Sequence, residues 1–128
     1  MTKILIVDDV EGWVKYHQNN LKYLKIKNLE MDCCYSAKEA LNKIIENVST
    51  PYEVIFTDLQ MENDYSPKTA GEWLVEQIKT FKQYNNSKIV IISASNNIEQ
   101  IAKRKEVQYI PKSIVRHYDA SIYAQFLN

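Results

Sequence analysis

The sequence has little of what marks membrane, secreted or nucleic-acid-binding proteins. No apolar segment approaches the length of a transmembrane helix, and the first residues do not follow the pattern of a signal peptide. Sixteen basic residues cancel sixteen acidic ones, so no charge excess attracts nucleic acid or an anionic membrane. The two cysteines, Cys33 and Cys34, are adjacent and form neither a disulfide framework nor a CxxC motif. We therefore expect a cytoplasmic protein without nucleic-acid or membrane partners.

The chain has 128 residues, enough for one domain with a substantial hydrophobic core. It contains no internal repeat, low-complexity tract or linker. We therefore expect a single domain over 1–128 without an output domain.

Apolar runs and amphipathic segments alternate five times along the chain. Strands are predicted near 3–7, 30–34, 53–57, 88–92 and 107–110. Helices are predicted near 11–25, 36–48, 71–84, 96–105 and 113–127. This alternation predicts an α/β fold, with a parallel sheet covered by helices on both faces.

Residues that a phosphoryl-transfer site could use follow four of the predicted strands. Asp8 and Asp9 follow the first strand, Asp58 the third, Ser93 the fourth and Lys112 the fifth. Ligand sites in open parallel sheets form outside the carboxyl ends of the strands. We therefore expect three carboxylates, a hydroxyl and an ammonium to meet at one edge of the sheet.

Three carboxylates at one edge favour a bound cation. Two carboxylates ~5 Å apart repel by roughly 3 kcal/mol at an effective dielectric constant near 20. Carboxylate oxygens with open water positions suit Mg²⁺. The sequence therefore predicts a Mg²⁺ site that includes Asp8, Asp9 and Asp58.

The order of these residues resembles the receiver domain of two-component response regulators. The resemblance rests on Asp8-Asp9, Asp58, Ser93-Ala94, Tyr109 and Lys112, and it covers essentially the whole chain. It implies a doubly wound, flavodoxin-like sheet of five parallel strands in the order 2-1-3-4-5, with five helices.

The resemblance also implies a role for each residue of the acidic site. Asp58 corresponds to the phospho-acceptor, and Asp9 to the direct Mg²⁺ ligand. Asp8 would hold the ion largely through water, and the backbone carbonyl of Gln60 would be a further ligand.

Three further residues correspond to the phosphate contact and the switch of the family. Lys112 would contact the acyl phosphate, Ser93 would be the switch hydroxyl and Tyr109 the switch aromatic. The implied function is transfer of a phosphoryl group from a sensor histidine kinase or a histidine phosphotransfer protein. The signal would then pass to a downstream protein through the face made by helix four, strand five and helix five. We expect a signalling domain and not a turnover enzyme; a phosphorylation-dependent dimer stays an open alternative.

The sequence departs from the family pattern at three places. Glu62 stands where the family usually has proline, and the loop over 59–70 is about five residues longer than usual. That loop could gate the site, set the dephosphorylation rate, hold a partner or be a solvated insertion. Lys112 precedes Ser113 and not the usual proline, so we expect a trans bond or a strained cis bond.

Competing functions receive less support. A pseudo-receiver that binds proteins without phosphorylation is disfavoured by the acidic residues and Lys112, but the altered loop keeps it open. A haloacid-dehalogenase-type phosphatase would need a second aspartate at the position of Gln60. A flavodoxin is disfavoured because the chain has only two glycines, Gly12 and Gly71, and no glycine-rich phosphate loop.

Two aromatic residues of the first helix bear on the site. His17 is expected to pack in the interior and not to bind a metal. Trp13 follows the acidic pair closely, so it is expected either in the core or near the pocket or a kinase-docking face.

Overall fold

The computed structural model describes residues 2–127, and its elements follow the predicted order. The strands are β1 Thr2–Val7, β2 Leu29–Cys34, β3 Val54–Thr57, β4 Lys88–Ser93 and β5 Gln108–Pro111. The helices are α1 Glu11–Tyr23, α2 Ala37–Glu46, α3 Ala70–Lys79, α4 Ile98–Lys105, α5 Lys112–His117 and α6 Ser121–Ala124. Two short 3₁₀ turns cover Pro67–Thr69 and Lys82–Tyr84.

The five strands form one parallel sheet in the order β2-β1-β3-β4-β5, which confirms the predicted fold class and strand order. Val7 at the end of β1 pairs with Thr57 at the end of β3. The Asp58 N–H donates to the carbonyl of Val7 at 3.0 Å, and the Asp8 N–H donates to that of Cys34 at 3.1 Å. Asp8 and Asp58 therefore leave the sheet side by side.

The hydrophobic core has two layers, one on each face of the sheet. Leu5 and Ile55 belong to the layer that packs against α2, α3 and α4. Phe56 belongs to the opposite layer, which packs against α1, α5 and α6. All four residues of β3 are buried, as expected for a central strand covered on both faces. This double cover gives the carboxyl edge of the sheet a rigid base.

The predicted fifth helix over 113–127 is wrong as a continuous helix. The segment forms α5 and the separate α6, so the structure has six helices in its described residues and not five. Tyr118 is extended, with φ −105° and ψ 162°. The Asp119 carboxylate accepts the Ser121 N–H at 2.9 Å. Asp119 forms this local hydrogen bond with the backbone in place of the helical pattern, and the helix breaks there.

The predicted third helix over 71–84 is also too long. The α-helix ends at Lys79, and the Thr80 hydroxyl donates to the carbonyl of Gln77 at 2.7 Å. Its remaining residues form the second 3₁₀ turn, where Tyr84 stays buried. The apolar residues that predicted one longer helix are therefore divided between the α-helix and the 3₁₀ turn.

Within residues 2–127, the helices are all too short or too polar to cross a membrane.

Candidate functional site

Three aspartates meet at the carboxyl edge of the sheet. Carboxylate oxygens of Asp8, Asp9 and Asp58 all lie within 4.8 Å of one another. Asp8 and Asp58 are buried, whereas Asp9 is only partly buried. The structure therefore brings together the three carboxylates that the sequence placed at strand ends.

Lys112 forms ion pairs with two of these carboxylates. Its Nζ lies 2.9 Å from Oδ2 of Asp58 and 3.1 Å from Oδ2 of Asp8. Burial alone would lower the pKa of Lys112, but Asp58 and Asp8 outweigh that effect, so its pKa is raised and it stays charged. The peptide bond to Ser113 is trans, as are all peptide bonds of the described residues, in line with the first of the two expectations for this bond.

The Asp58 carboxylate is fixed at both oxygens. Oδ1 accepts the N–H of Leu59 at 2.7 Å, and Oδ2 accepts a hydrogen bond from the Lys112 ammonium. The two contacts hold the carboxylate in one orientation, as a side chain that acts as a nucleophile requires.

Asp8 has a buried oxygen without a hydrogen-bond partner. Its Oδ1 accepts the Val10 N–H at 3.0 Å, but Oδ2 accepts no hydrogen bond and faces only the ion-paired Lys112 ammonium. Burial raises the pKa of Asp8 to about 6, and the neighbouring Asp58 acts in the same direction. A buried oxygen that lacks a hydrogen bond is an observation that a cation would explain.

The donor set fits Mg²⁺. Carboxylate oxygens from three residues meet beside an open cleft of about 630 Å³, which leaves space for water and phosphate oxygens. The cleft is lined by Asp9, Asp58, Gln60, Glu62, Ser93 and Lys112, among others. Gln60, whose backbone carbonyl is a ligand in the family resemblance, is thus among the residues that line the cleft.

Ser93 and Tyr109 lie on the neighbouring strands β4 and β5 but in different surroundings. Ser93 is buried at the end of β4, and its hydroxyl accepts the Ser95 N–H at 3.2 Å. It lines both the cleft and an adjoining cavity of about 370 Å³. Tyr109 lines only the adjoining cavity, half-buried beside Ile98 of α4. The structure thus joins Ser93, but not Tyr109, to the acidic cleft.

The long loop over 59–70 is mostly exposed but is anchored to its neighbours at several points. Met61 is fully buried, and the Glu62 N–H donates to Oδ2 of Asp9 at 2.8 Å. The Asp64 carboxylate accepts the N–H groups of Ala37 at 2.7 Å and Lys38 at 3.2 Å. The loop therefore links a candidate metal ligand to the first turn of α2.

Two residues make contacts at the site that the sequence did not reveal. Gly71 approaches the backbone that follows Asp58, and its N–H donates to the carbonyl of Leu59 at 2.8 Å. Trp13 packs, half-buried, against the core layer that contains Phe56, and its ring lies 4.9 Å from the Lys112 ammonium, so it contacts both the core and a residue of the pocket. Because the chain has only two glycines, Gly71 could have been identified as a position with a special requirement. Nothing in the sequence around Trp13 indicates its contact with Lys112.

A sequence profile of the response regulator receiver domain matches residues 4–117. The match covers most of the chain and includes every residue of the site described above. The chain belongs to the response regulator receiver domain family.

Solved receiver domains share the fold. The chemotaxis response regulator CheY4 of Vibrio cholerae has a TM-score of 0.75 at 20% identity, over 99% of this chain and 96% of that one. A CheY-like receiver domain from Methylobacillus flagellatus has a TM-score of 0.73 at 22% identity, over 98% of each chain. A mutant receiver domain of the histidine kinase CKI1 from Arabidopsis thaliana has a TM-score of 0.71 at 22% identity, over 88% of this chain and 82% of that one. No curated protein matches the sequence.

Proposed function

We propose that Asp58 accepts a phosphoryl group from a phosphohistidine of a sensor histidine kinase or a histidine phosphotransfer protein. The observation that carries the proposal is the fixed Asp58 carboxylate, which lines an open cleft and is paired with Lys112 beside two further aspartates. A carboxylate oxygen of Asp58 forms a bond to phosphorus while the bond between phosphorus and the imidazole nitrogen breaks. The imidazole keeps that electron pair, and the product is an acyl phosphate.

The residues of the cleft provide positioning and charge. The transition state of phosphoryl transfer is loose, so electrostatic stabilisation accounts for most of the catalysis. The Lys112 ammonium lies 2.9 Å from the Asp58 carboxylate. From there its positive charge can stabilise the negative charge on the oxygens of the transferring phosphoryl group. Asp8, Asp9, Asp58 and the carbonyl of Gln60 would hold Mg²⁺, which when bound supplies further positive charge for the phosphoryl oxygens.

The signal is proposed to leave through the α4, β5 and α5 face. The Ser93 hydroxyl lies at the boundary between the cleft and the cavity that Tyr109 lines. Movement of Ser93 toward the phosphoryl group would open space into which Tyr109 turns. We infer a stoichiometric signalling domain of the cytoplasm that acts on a downstream protein, and not a turnover enzyme.

A phosphorylation-independent binding module is the second candidate. It is favoured by contacts within the chain that compensate part of the acidic cluster. Lys112 pairs with two carboxylates, and Glu62 donates its N–H to Asp9. Such a site can stay in one state without phosphorylation.

The intact mass after incubation with acetyl phosphate separates the two candidates. We expect a gain of one phosphoryl group that requires Mg²⁺ and is absent in Asp58→Asn. Circular dichroism of the variant controls for folding. Labelling of Asp58→Asn equal to that of the wild type would overturn the assignment. No labelling of a wild type that binds Mg²⁺ would favour the binding module or a strict need for the kinase.

A further inference from the structure

Trp13, in the first turn of α1, contacts the ammonium group that serves the acidic cleft. The Nζ atom of Lys112 lies 4.9 Å from the centroid of the Trp13 ring. A cation within about 6 Å of an indole face is attracted by the electrons of the ring. The same ammonium pairs with Asp58 and Asp8. Two carboxylates and one indole therefore share a single buried cation.

The Trp13 ring is itself held by aromatic neighbours. The His17 ring stacks on it with centroids 5.6 Å apart and planes at 29°. The Tyr16 ring meets it edge-on at 5.5 Å. The Tyr16 hydroxyl donates to the carbonyl of Val115 at 3.0 Å, on the same short helix that begins with Lys112. The indole is therefore fixed relative to both α1 and α5.

Lys112 needs such a contact because its other partners change during the proposed reaction. A lysine side chain is long, and holding it in one rotamer costs conformational entropy. Its remaining polar contacts are to Asp58, which receives the phosphoryl group, and to Asp8, a candidate metal ligand. The Trp13 contact is unaffected by either event.

We propose that Trp13 is a positioning residue that holds the Lys112 ammonium beside Asp58 for phosphoryl transfer. The proposal rests on the proposed function, because the ammonium is assigned to the transferring phosphoryl group. The guanidinium of the exposed Arg116 lies 5.4 Å from the same ring. The indole therefore contacts a second cation of α5.

The first arm of the test observes the contact in solution without phosphorylation. In protein labelled with ¹³C-lysine, the ε-methylene protons of Lys112 are expected to resonate upfield, because they lie near the indole face. The shift is expected to disappear in Trp13→Leu and to persist in part in Trp13→Phe, which keeps an aromatic ring. Trp73→Leu is the matched control and is expected to leave the shift unchanged. A wild-type Lys112 without an upfield shift would overturn the proposal.

The second arm measures the rate of Mg²⁺-dependent labelling by acetyl phosphate. Trp13→Leu is expected to slow labelling by about three- to tenfold, the effect of one partly desolvated cation–π contact. Trp13→Phe is expected to recover most of the rate. In a Lys112→Ala background, Trp13→Leu is expected to have little further effect, because its influence passes through Lys112.

The two arms separate the proposal from the proposed function. Equal slowing by Trp13→Leu in the presence and absence of Lys112 would show a merely structural role and overturn the proposal. Should Trp13→Leu fail to fold, Trp13→Phe still tests the proposal. Its upfield shift of Lys112 should be smaller than that of the wild type, and its labelling rate slightly lower. Should the wild type take no phosphoryl group, the proposed function fails for this donor. The lysine shift then decides by itself whether Trp13 holds Lys112, so failure of the proposal and failure of the proposed function stay distinguishable.

Discussion

A Cβ atom added to Gly71 would lie 2.2 Å from the backbone carbonyl oxygen of Asp58 and 2.5 Å from the Cα of Leu59. Gly71 is in the first turn of α3 and does not have a positive φ, so it is required for space and not for backbone freedom. Its absent side chain lets α3 pack directly against the backbone that carries the proposed acceptor.

Gly71→Ala is therefore expected to disturb both the fold and the site. Overpacking at this contact should lower the free energy of unfolding by about 1–3 kcal/mol and slow labelling of Asp58, because the backbone after β3 must move. Urea unfolding and the labelling rate check this. Gly12→Ala is the matched control: its Cβ would meet no atom within 4 Å, and the exposed helical site should gain about 0.5–1 kcal/mol. Equal effects of the two substitutions would contradict the packing argument.

Lys112→Met is expected to destabilise the protein without Mg²⁺ and much less with it. The substitution keeps the apolar stem but leaves Asp8 and Asp58 without their cation, which should cost about 1–3 kcal/mol of unfolding free energy at pH 7. Added Mg²⁺ should restore part of the loss, because it supplies positive charge to the same carboxylates. Urea unfolding with and without Mg²⁺ measures both effects.

Lys103→Met is the control for this pair of measurements. Lys103 pairs with Glu99 on the surface of α4, so its removal should leave stability unchanged in both conditions. Loss of Mg²⁺ binding in Lys112→Met as complete as in Asp9→Ala would contradict the separate roles of lysine and metal ligand.

Asp64→Ala is expected to loosen the long loop from α2. The Asp64 carboxylate accepts two N–H groups at the start of α2, and loss of a helix cap costs about 1 kcal/mol. Hydrogen exchange over 59–70 should become faster, and urea unfolding should show the loss. Unchanged exchange in the loop would show that Asp64 does not anchor it.

The contribution of His17 to stability is expected to fall as the pH falls from about 6.5 to about 4. Burial lowers the pKa of His17 to about 4, and the charge of Lys112 contributes. In that range the unfolded chain protonates His17 and the folded chain does not, so at this residue acid favours unfolding. Since each pKa unit corresponds to about 1.4 kcal/mol, this contribution should fall by about 3 kcal/mol by pH 4. Asp8, whose pKa burial raises to about 6, acts in the opposite direction over the same range, so the effect of His17 is measured against a variant.

His17→Gln tests that expectation, because glutamine keeps a polar partner for the Tyr123 hydroxyl, which lies 2.6 Å from Nδ1 of His17. Urea unfolding at a series of pH values should show that the wild type loses stability relative to the variant as the pH falls, because Asp8 is common to both. Parallel profiles would mean that His17 is not the group responsible.

The sheet and the acidic site were predictable because their signals are local and repeated. The strands β1 and β3 are short, buried apolar runs that end directly before Asp8 and Asp58, and the less buried β5 ends directly before Lys112. The parallel arrangement of the strands then brings those ends together, irrespective of the length and conformation of the loops. The strand order and the trans bond after Lys112 also agree with the expectations from sequence.

The remaining features depend on side-chain hydrogen bonds that the apolar pattern does not show, one local and one between distant residues. The break between α5 and α6 depends on how the Asp119 carboxylate bonds to Ser121, which competes with a continuous apolar stripe. The anchoring of the loop depends on Asp64 reaching Ala37, and that contact has no signature in either segment alone. Tertiary packing decides such cases, so sequence periodicity does not reveal them.

Chemical trapping of the acyl phosphate tests the central claim most directly. After Mg²⁺-dependent incubation with acetyl phosphate, borohydride reduction converts a phosphorylated aspartate to homoserine, and peptide mass spectrometry locates it. The account predicts homoserine at position 58 alone, and none without Mg²⁺. Homoserine at position 8 or 9, or a phosphoryl group retained on a residue outside the cleft, would contradict it.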